Sequence, residues 1–175
     1  MSVMIAAASA AKPATFYLKQ LQAYYQSEPP RCLGEKEWPI NVATNQAPWE
    51  KGRLLALVDA GLAEIISQGK KSSYSLTSTG QKNFQRYGDL CYGRVAVSSI
   101  KLIEPTSNDA TAVYFTWHLV ETEKWSYSSS LRVAFSELDH LIAGSDNLLY
   151  RATFLHRAGQ SPELSDFPVP ANLDY

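Results

Sequence analysis

The apolar positions change period part-way along the chain. Over residues 15–26, Phe16, Leu18, Leu21, Tyr24 and Tyr25 recur at near-helical spacing, and Glu28-Pro29-Pro30 stops the run. Residues 31–44 keep no single period. Pro39 pushes Trp38 out of the helical region, so residues 38–42 read as a short extended piece. Residues 48–63 carry the clearest helical stripe, Leu54, Leu55, Leu57, Val58 and Leu62, with Gly61 where a left-handed cap would sit. Two strands follow at 63–67 and 73–76, joined by the polar run 68–72. Thr77 or Ser78 then caps a helix to about Tyr87.

Beyond Gly88 the period becomes two. Residues 92–103 alternate as a strand, with Val95, Val97 and Ile100 apolar and Glu104-Pro105 expected to end it. Residues 112–121, rich in aromatic and branched side chains, should pair with it. One helix is predicted over 128–143, with Leu131, Phe135, Leu138, Leu141 and Ile142 on one side and Gly144 closing it. A last strand covers 148–156. The tail from Ala158, with Pro162, Pro168 and Pro170, has no period and is expected to wrap the surface or fray.

The predicted class is α+β. A winged-helix-like N-terminal half (residues 15–90) precedes a small antiparallel sheet with one packed helix, in β-β-α-β order (91–160), and an irregular tail (161–175). Leu54, Leu57, Val58 and Leu62 should pack on the first helix through Leu18 and Leu21. Phe135, Leu138, Leu141 and Ile142 should pack on a sheet carrying Val95, Val97, Phe115 and Leu119.

Composition narrows the class without naming a function. The 175 residues are 45% hydrophobic and 19% charged, with mean hydropathy −0.22: a folding composition of one-domain size. The net charge of −1 argues against a general nucleic-acid binder. No apolar run reaches the ~20 residues that span a bilayer as a helix. Residues 1–90 hold 10 basic and 7 acidic residues and residues 91–175 hold 6 and 10, so a mild charge seam falls near position 90. Residues 1–14 read MSVMIAAASAAKPA, a short apolar stretch with Ala8-Ser9-Ala10 before Lys12-Pro13. The small residues suit a signal-peptidase site, although no basic residue precedes them; the segment is a signal remnant or an apolar extension.

An ordered set of short motifs adds a resemblance. Cys32-Leu33 and Trp38-Pro39-x-x-Val42 are followed by Leu54-x-x-Leu57-x-x-Ala60-Gly61-Leu62, then Tyr74-x-Leu76-Thr77-x-x-Gly80, then Cys91-Tyr92-Gly93. In order and spacing this resembles a group of small bacterial envelope proteins, often lipoproteins, of unassigned function. The likeness covers about residues 15–160. It implies export to the periplasm and an accessory or binding role, and it carries no catalytic residues. The chain departs from the group in having no lipobox cysteine near its start.

The remaining chemistry is sparse. In an exported chain the even cysteine count favours a Cys32–Cys91 disulfide; in a cytosolic one the two thiols are small buried hydrophobes. Neither C-x-x-C nor a Cys/His cluster appears, so no metal is expected, and no glycine-rich phosphate loop points to a cofactor. His118, His140 and His156 lack any accompanying nucleophile or paired-carboxylate motif and are assigned no catalytic role. Lys51, Arg53, Lys70 and Lys71 are the candidate phosphate contacts if the winged-helix-like half meets DNA. Trp125 and Tyr127 are the candidate partner-binding aromatics. The expected function is that of a non-enzymatic envelope protein binding another, unidentified protein. A cytosolic winged-helix DNA-binding regulator is one alternative, and an immunity protein that neutralises a co-encoded toxin is another.

Overall fold

A computed structural model describes residues 12–43 and 47–171. The signal-remnant reading therefore falls almost wholly outside the described residues, and so does the end of the tail. The elements are α1 (Ala14–Ser27), β1 (Arg31–Cys32), β2 (Ile40–Ala43), α2 (Pro48–Asp59), β3 (Ala63–Gln68), β4 (Lys71–Leu76) and α3 (Ser78–Tyr87). They continue as β5 (Cys91–Ser107), β6 (Ala110–Val120), a 3-10 turn (Lys124–Tyr127), α4 (Ser129–Ala134), α5 (Ser136–Gly144), β7 (Leu149–Leu155), β8 (Glu163–Leu164) and β9 (Val169–Pro170). The class is α+β, as the change of period predicts.

The strands form two antiparallel sheets. The larger runs β1-β5-β6-β7-β8, with β9 also on β7, and the smaller runs β2-β4-β3. In the small sheet Gln68 pairs with Lys71, so the β3–β4 loop is only Gly69-Lys70, tighter than the polar run suggested. Gly69 has φ +59°, which a two-residue hairpin turn asks of its first central residue. The expected caps are in place: the Thr77 side chain accepts from the Gly80 N–H at 3.2 Å, and Gly61 follows α2 at φ +76°.

Four expectations need correction. First, α1 packs on the large sheet, not on α2. Its buried stripe is Tyr17, Leu21 and Tyr25, with Tyr17 edge-on to Phe154 at 4.9 Å and Tyr25 to Phe115 at 6.1 Å. Leu54, Leu57 and Leu62 are buried, but α2 lies against β3 and α4. Second, the predicted helix over 128–143 is two helices. Phe135 takes an extended conformation (φ −124°, ψ 94°) that buries its ring and redirects the chain, so α4 meets α2 while α5 meets β6. Third, β5 runs on through Pro105 to Ser107. Pro105 sits at a register irregularity opposite Thr111, on a stretch whose other edge carries no strand among the described residues, because β1 covers only Cys91 and Gly93. Fourth, the tail adds strands to β7: Leu155 pairs with Glu163 and Tyr150 with Pro170.

Cys32 and Cys91 are register partners of β1 and β5 and are joined by a disulfide, their Cα atoms 3.8 Å apart. Gly144 ends α5 for a reason other than a left-handed cap. A Cβ there would lie 2.6 Å from Leu148 Cδ1 and 3.1 Å from Trp117 Cζ2, so the residue allows close approach of helix and sheet.

Candidate functional site: the groove between α2 and α4

Helix α2 is PWEKGRLLALVD, with Pro48 in its first turn, where no intrahelical N–H is needed. Leu54, Ala56 and Leu57 face the core. A second apolar stripe stays outside: Trp49 is 62% exposed and Leu55 52%. A helix apolar on both faces is normally covered on both. Across from this stripe, α4 presents Val133, 88% exposed. Between the two helices lies an open groove of ≈ 830 Å³, lined by Trp49, Gly52, Leu55 and Ala56 on one wall and by Ser130 and Val133 among those on the other.

The walls are held at both ends. Ser130 Oγ donates to Asp59 Oδ2, tying the start of α4 to the end of α2. Deeper in, Arg53 pairs with Glu35 at 2.6 Å and lays its guanidinium 4.8 Å over the Phe135 ring. Burial pushes the Glu35 carboxyl above its ordinary value and Arg53 only partly offsets this, so the pair positions the wall more than it stabilises the fold. The Asp89 carboxylate anchors the loop that carries Glu35, accepting from the N–H groups of Gly34 and Glu35 at 3.1 Å and of Leu90 at 2.7 Å.

Gly52 gives the groove its depth. Glycine inside a helix costs ~0.5–1 kcal/mol relative to alanine, and a Cβ at Gly52 would meet nothing within 4 Å. No internal packing requires glycine here. The missing side chain leaves the wall open between Trp49 and Leu55.

The residues singled out from the sequence are scattered. Trp125 is 9% exposed, inside the core, which corrects its candidacy as a partner anchor; Tyr127 does remain on the surface. Of the four basic candidates, Arg53 is engaged as described, Lys51 lies on α2, Lys70 is in the turn between β3 and β4, and Lys71 begins β4. The histidines are on separate elements. His156 Nε2 lies 2.7 Å from Thr111 Oγ1, and His140 is on α5. His118 Nδ1 is 3.9 Å from Asp146 Oδ1, and that oxygen also accepts from Ser98 Oγ. The serine's partner is the acid, and His118 Nδ1 makes no hydrogen bond among the described residues. Among the described residues no group of three or more His, Cys, Asp or Glu is placed to hold a metal ion, and no helix is long and apolar enough to cross a membrane. Comparison with protein-family models, with curated proteins and with solved structures gives no match.

Trp49, Leu55 and Val133 were not singled out from the sequence as binding residues. Leu55, expected in one stripe with Leu54, Leu57, Val58 and Leu62, is instead exposed, because at about 100° per residue it falls with Trp49 off the face made by Leu54 and Leu57. Val133 became part of a site only when the break at Phe135 turned α4 toward α2.

Proposed function

We propose that this chain is a non-enzymatic bacterial envelope protein that binds another protein, seating an amphipathic helix of that partner in the α2–α4 groove. The observation that carries the reading is the exposed apolar stripe Trp49–Gly52–Leu55 facing Val133. Apolar patches of this kind mark interaction sites, and tryptophan is enriched among the residues that dominate binding energy. A trough between two helices accepts a third by the geometry that packs helices in cores. The Cys32–Cys91 disulfide supports an extracytoplasmic location, since oxidising compartments keep such bonds. The β2-β4-β3 sheet with α2 and α3 is compatible with a winged-helix-like half, but the regulator reading loses Arg53 to Glu35 and Phe135.

The test is site-specific photocrosslinking in cells. A photoreactive residue at Leu55 should give one heavier adduct that is absent when it stands at Leu102, also exposed but on β5. The Leu55 adduct should vanish when Val133→Asp is added. Equal adducts from both sites, or an adduct of twice the chain's mass, would overturn the reading, the latter in favour of self-association.

A further inference from the structure

A second concave site lies where the C-terminal end of α1 meets the large sheet and the strap over residues 167–170. It is a cleft of ≈ 540 Å³ with aromatic walls. Tyr24 and Tyr25 stand edge to face at 5.0 Å, and Trp117 and Tyr150 do so at 5.6 Å. The strap is pinned on both sides of Phe167. The Ser165 N–H donates to the Thr153 carbonyl and the Ala171 N–H to the Leu149 carbonyl, both at 2.9 Å, while Val169 pairs with Arg151. Phe167 is nevertheless 65% exposed, a large ring held at the cleft by backbone bonds rather than by core packing.

Arg31, the first residue of β1, lines the same cleft. It is half-buried and makes no ion pair among the described residues. Its field reaches the phenols of Tyr24, Tyr25 and Tyr150, working against the burial that raises all three. These phenols therefore stay neutral at ordinary pH and can donate hydrogen bonds. Among the described residues Glu28 is the one carboxylate in the lining.

We infer that this cleft is a binding site for a small aromatic monocarboxylate, its ring taken by the aromatic walls and its carboxylate by Arg31. The guanidinium fork matches a carboxylate in a way no other side chain does. Tyr24 and Tyr150 are only half-buried and Phe167 is exposed, so their rings can take another ring, backed from the core by Tyr25 and Trp117. The volume falls in the ordinary range for small-molecule sites, ~300–1,000 Å³. Glu28 sets the charge limit, disfavouring a second negative group. The inference is independent of the α2–α4 reading, because the two sites share no lining residue.

The test uses the full chain with its disulfide intact, followed by amide NMR during titration with phenylacetate, acetate and phenyltrimethylammonium. Phenylacetate should bind saturably at millimolar concentration or below, shifting resonances of Arg31, Trp117 and Phe167, and more tightly than either comparator. Arg31→Met should weaken it by ~10-fold or more, Phe167→Ala should weaken it severalfold, and Glu28→Gln should tighten it. Phe167 is exposed enough that its substitution leaves the fold standing, so that arm reads binding alone. Absence of saturation overturns the inference, as does indifference to Arg31→Met, or acetate binding as tightly as phenylacetate. Preference for the ammonium ion, weakened by Glu28→Gln, overturns it in favour of a cation cage.

Discussion

The side-chain amide of Asn83, on α3, donates to the Cys91 carbonyl at 2.9 Å and accepts from the Cys91 N–H at 2.8 Å. It supplies the two hydrogen bonds a neighbouring strand would make, at the residue that carries the disulfide. Asn83→Ala should therefore leave a buried N–H and C=O unpaired and cost ~1–3 kcal/mol, measured by urea unfolding. Gly80 invites a prediction of opposite sign to helix propensity. Glycine to alanine in a helix usually stabilises, but a Cβ at Gly80 would lie 2.2 Å from the Leu62 carbonyl oxygen. Gly80→Ala should lower the unfolding midpoint, and a rise would show that α3 shifts freely. The tyrosines give a pH dependence. Burial raises the phenols of Tyr25 and Tyr92 well above the ordinary 10.0. Above pH 10 the unfolded chain binds fewer protons than the folded one, so the stability these groups contribute, intact below pH 10, is lost as the pH rises toward the folded values. Phenolate absorbance should show fewer than the ten tyrosines ionising until the chain unfolds. Asn83 looks like an ordinary member of a polar helix in the sequence, and Gly80, although it closes the Tyr74-x-Leu76-Thr77-x-x-Gly80 motif, carries no sign there of the carbonyl it meets.

Helix α2 shows how one element can serve two faces. Leu57 is fully buried and Leu55 half exposed, so alanine at 57 should cost ~2–5 kcal/mol, while serine at 55 should stay within ~0.5 kcal/mol. Gly52→Ala should stabilise the isolated protein by ~0.5–1 kcal/mol and, by filling the groove wall, weaken the crosslink proposed for Leu55. Thermal unfolding reads the first effect and adduct yield the second. A Gly52→Ala variant that is more stable and crosslinks as well as before would remove the glycine from the site. The predicted helix over 128–143 fails at the same scale for a stated reason. Its apolar residues keep helical spacing through Phe135, yet burying that ring beneath Arg53 requires the extended backbone that splits α4 from α5.

Across the whole molecule the disulfide is the covalent constraint, closing a sequence separation of 59 residues between β1 and β5. The chain-entropy argument gives ~4 kcal/mol for a loop of this size. Cys32→Ala with Cys91→Ala should lower unfolding free energy by up to that amount, and thiol trapping from living cells should recover the native pair oxidised. Recovery as two free thiols would count against the envelope assignment. Much of the architecture was already local in the sequence. The 3.6- and 2-residue periods, Gly61, Thr77 and the hairpin signal depend on near neighbours, and each names its element without help from the rest of the chain. The Cys32–Cys91 pairing was legible too, but only through the cysteine count and the motif order. What the tertiary structure decided is which surface each stripe covers. Leu21 could have packed on α2 or on the sheet, and the choice went to the aromatic face of Phe115 and Phe154 because Tyr17 and Tyr25 extend the same stripe. The tail strands exist only because β7 offers an open edge, and the α2–α4 groove only because Phe135 turns the chain. Partner choice among apolar faces depends on shape and area at long sequence separation, which no local period encodes.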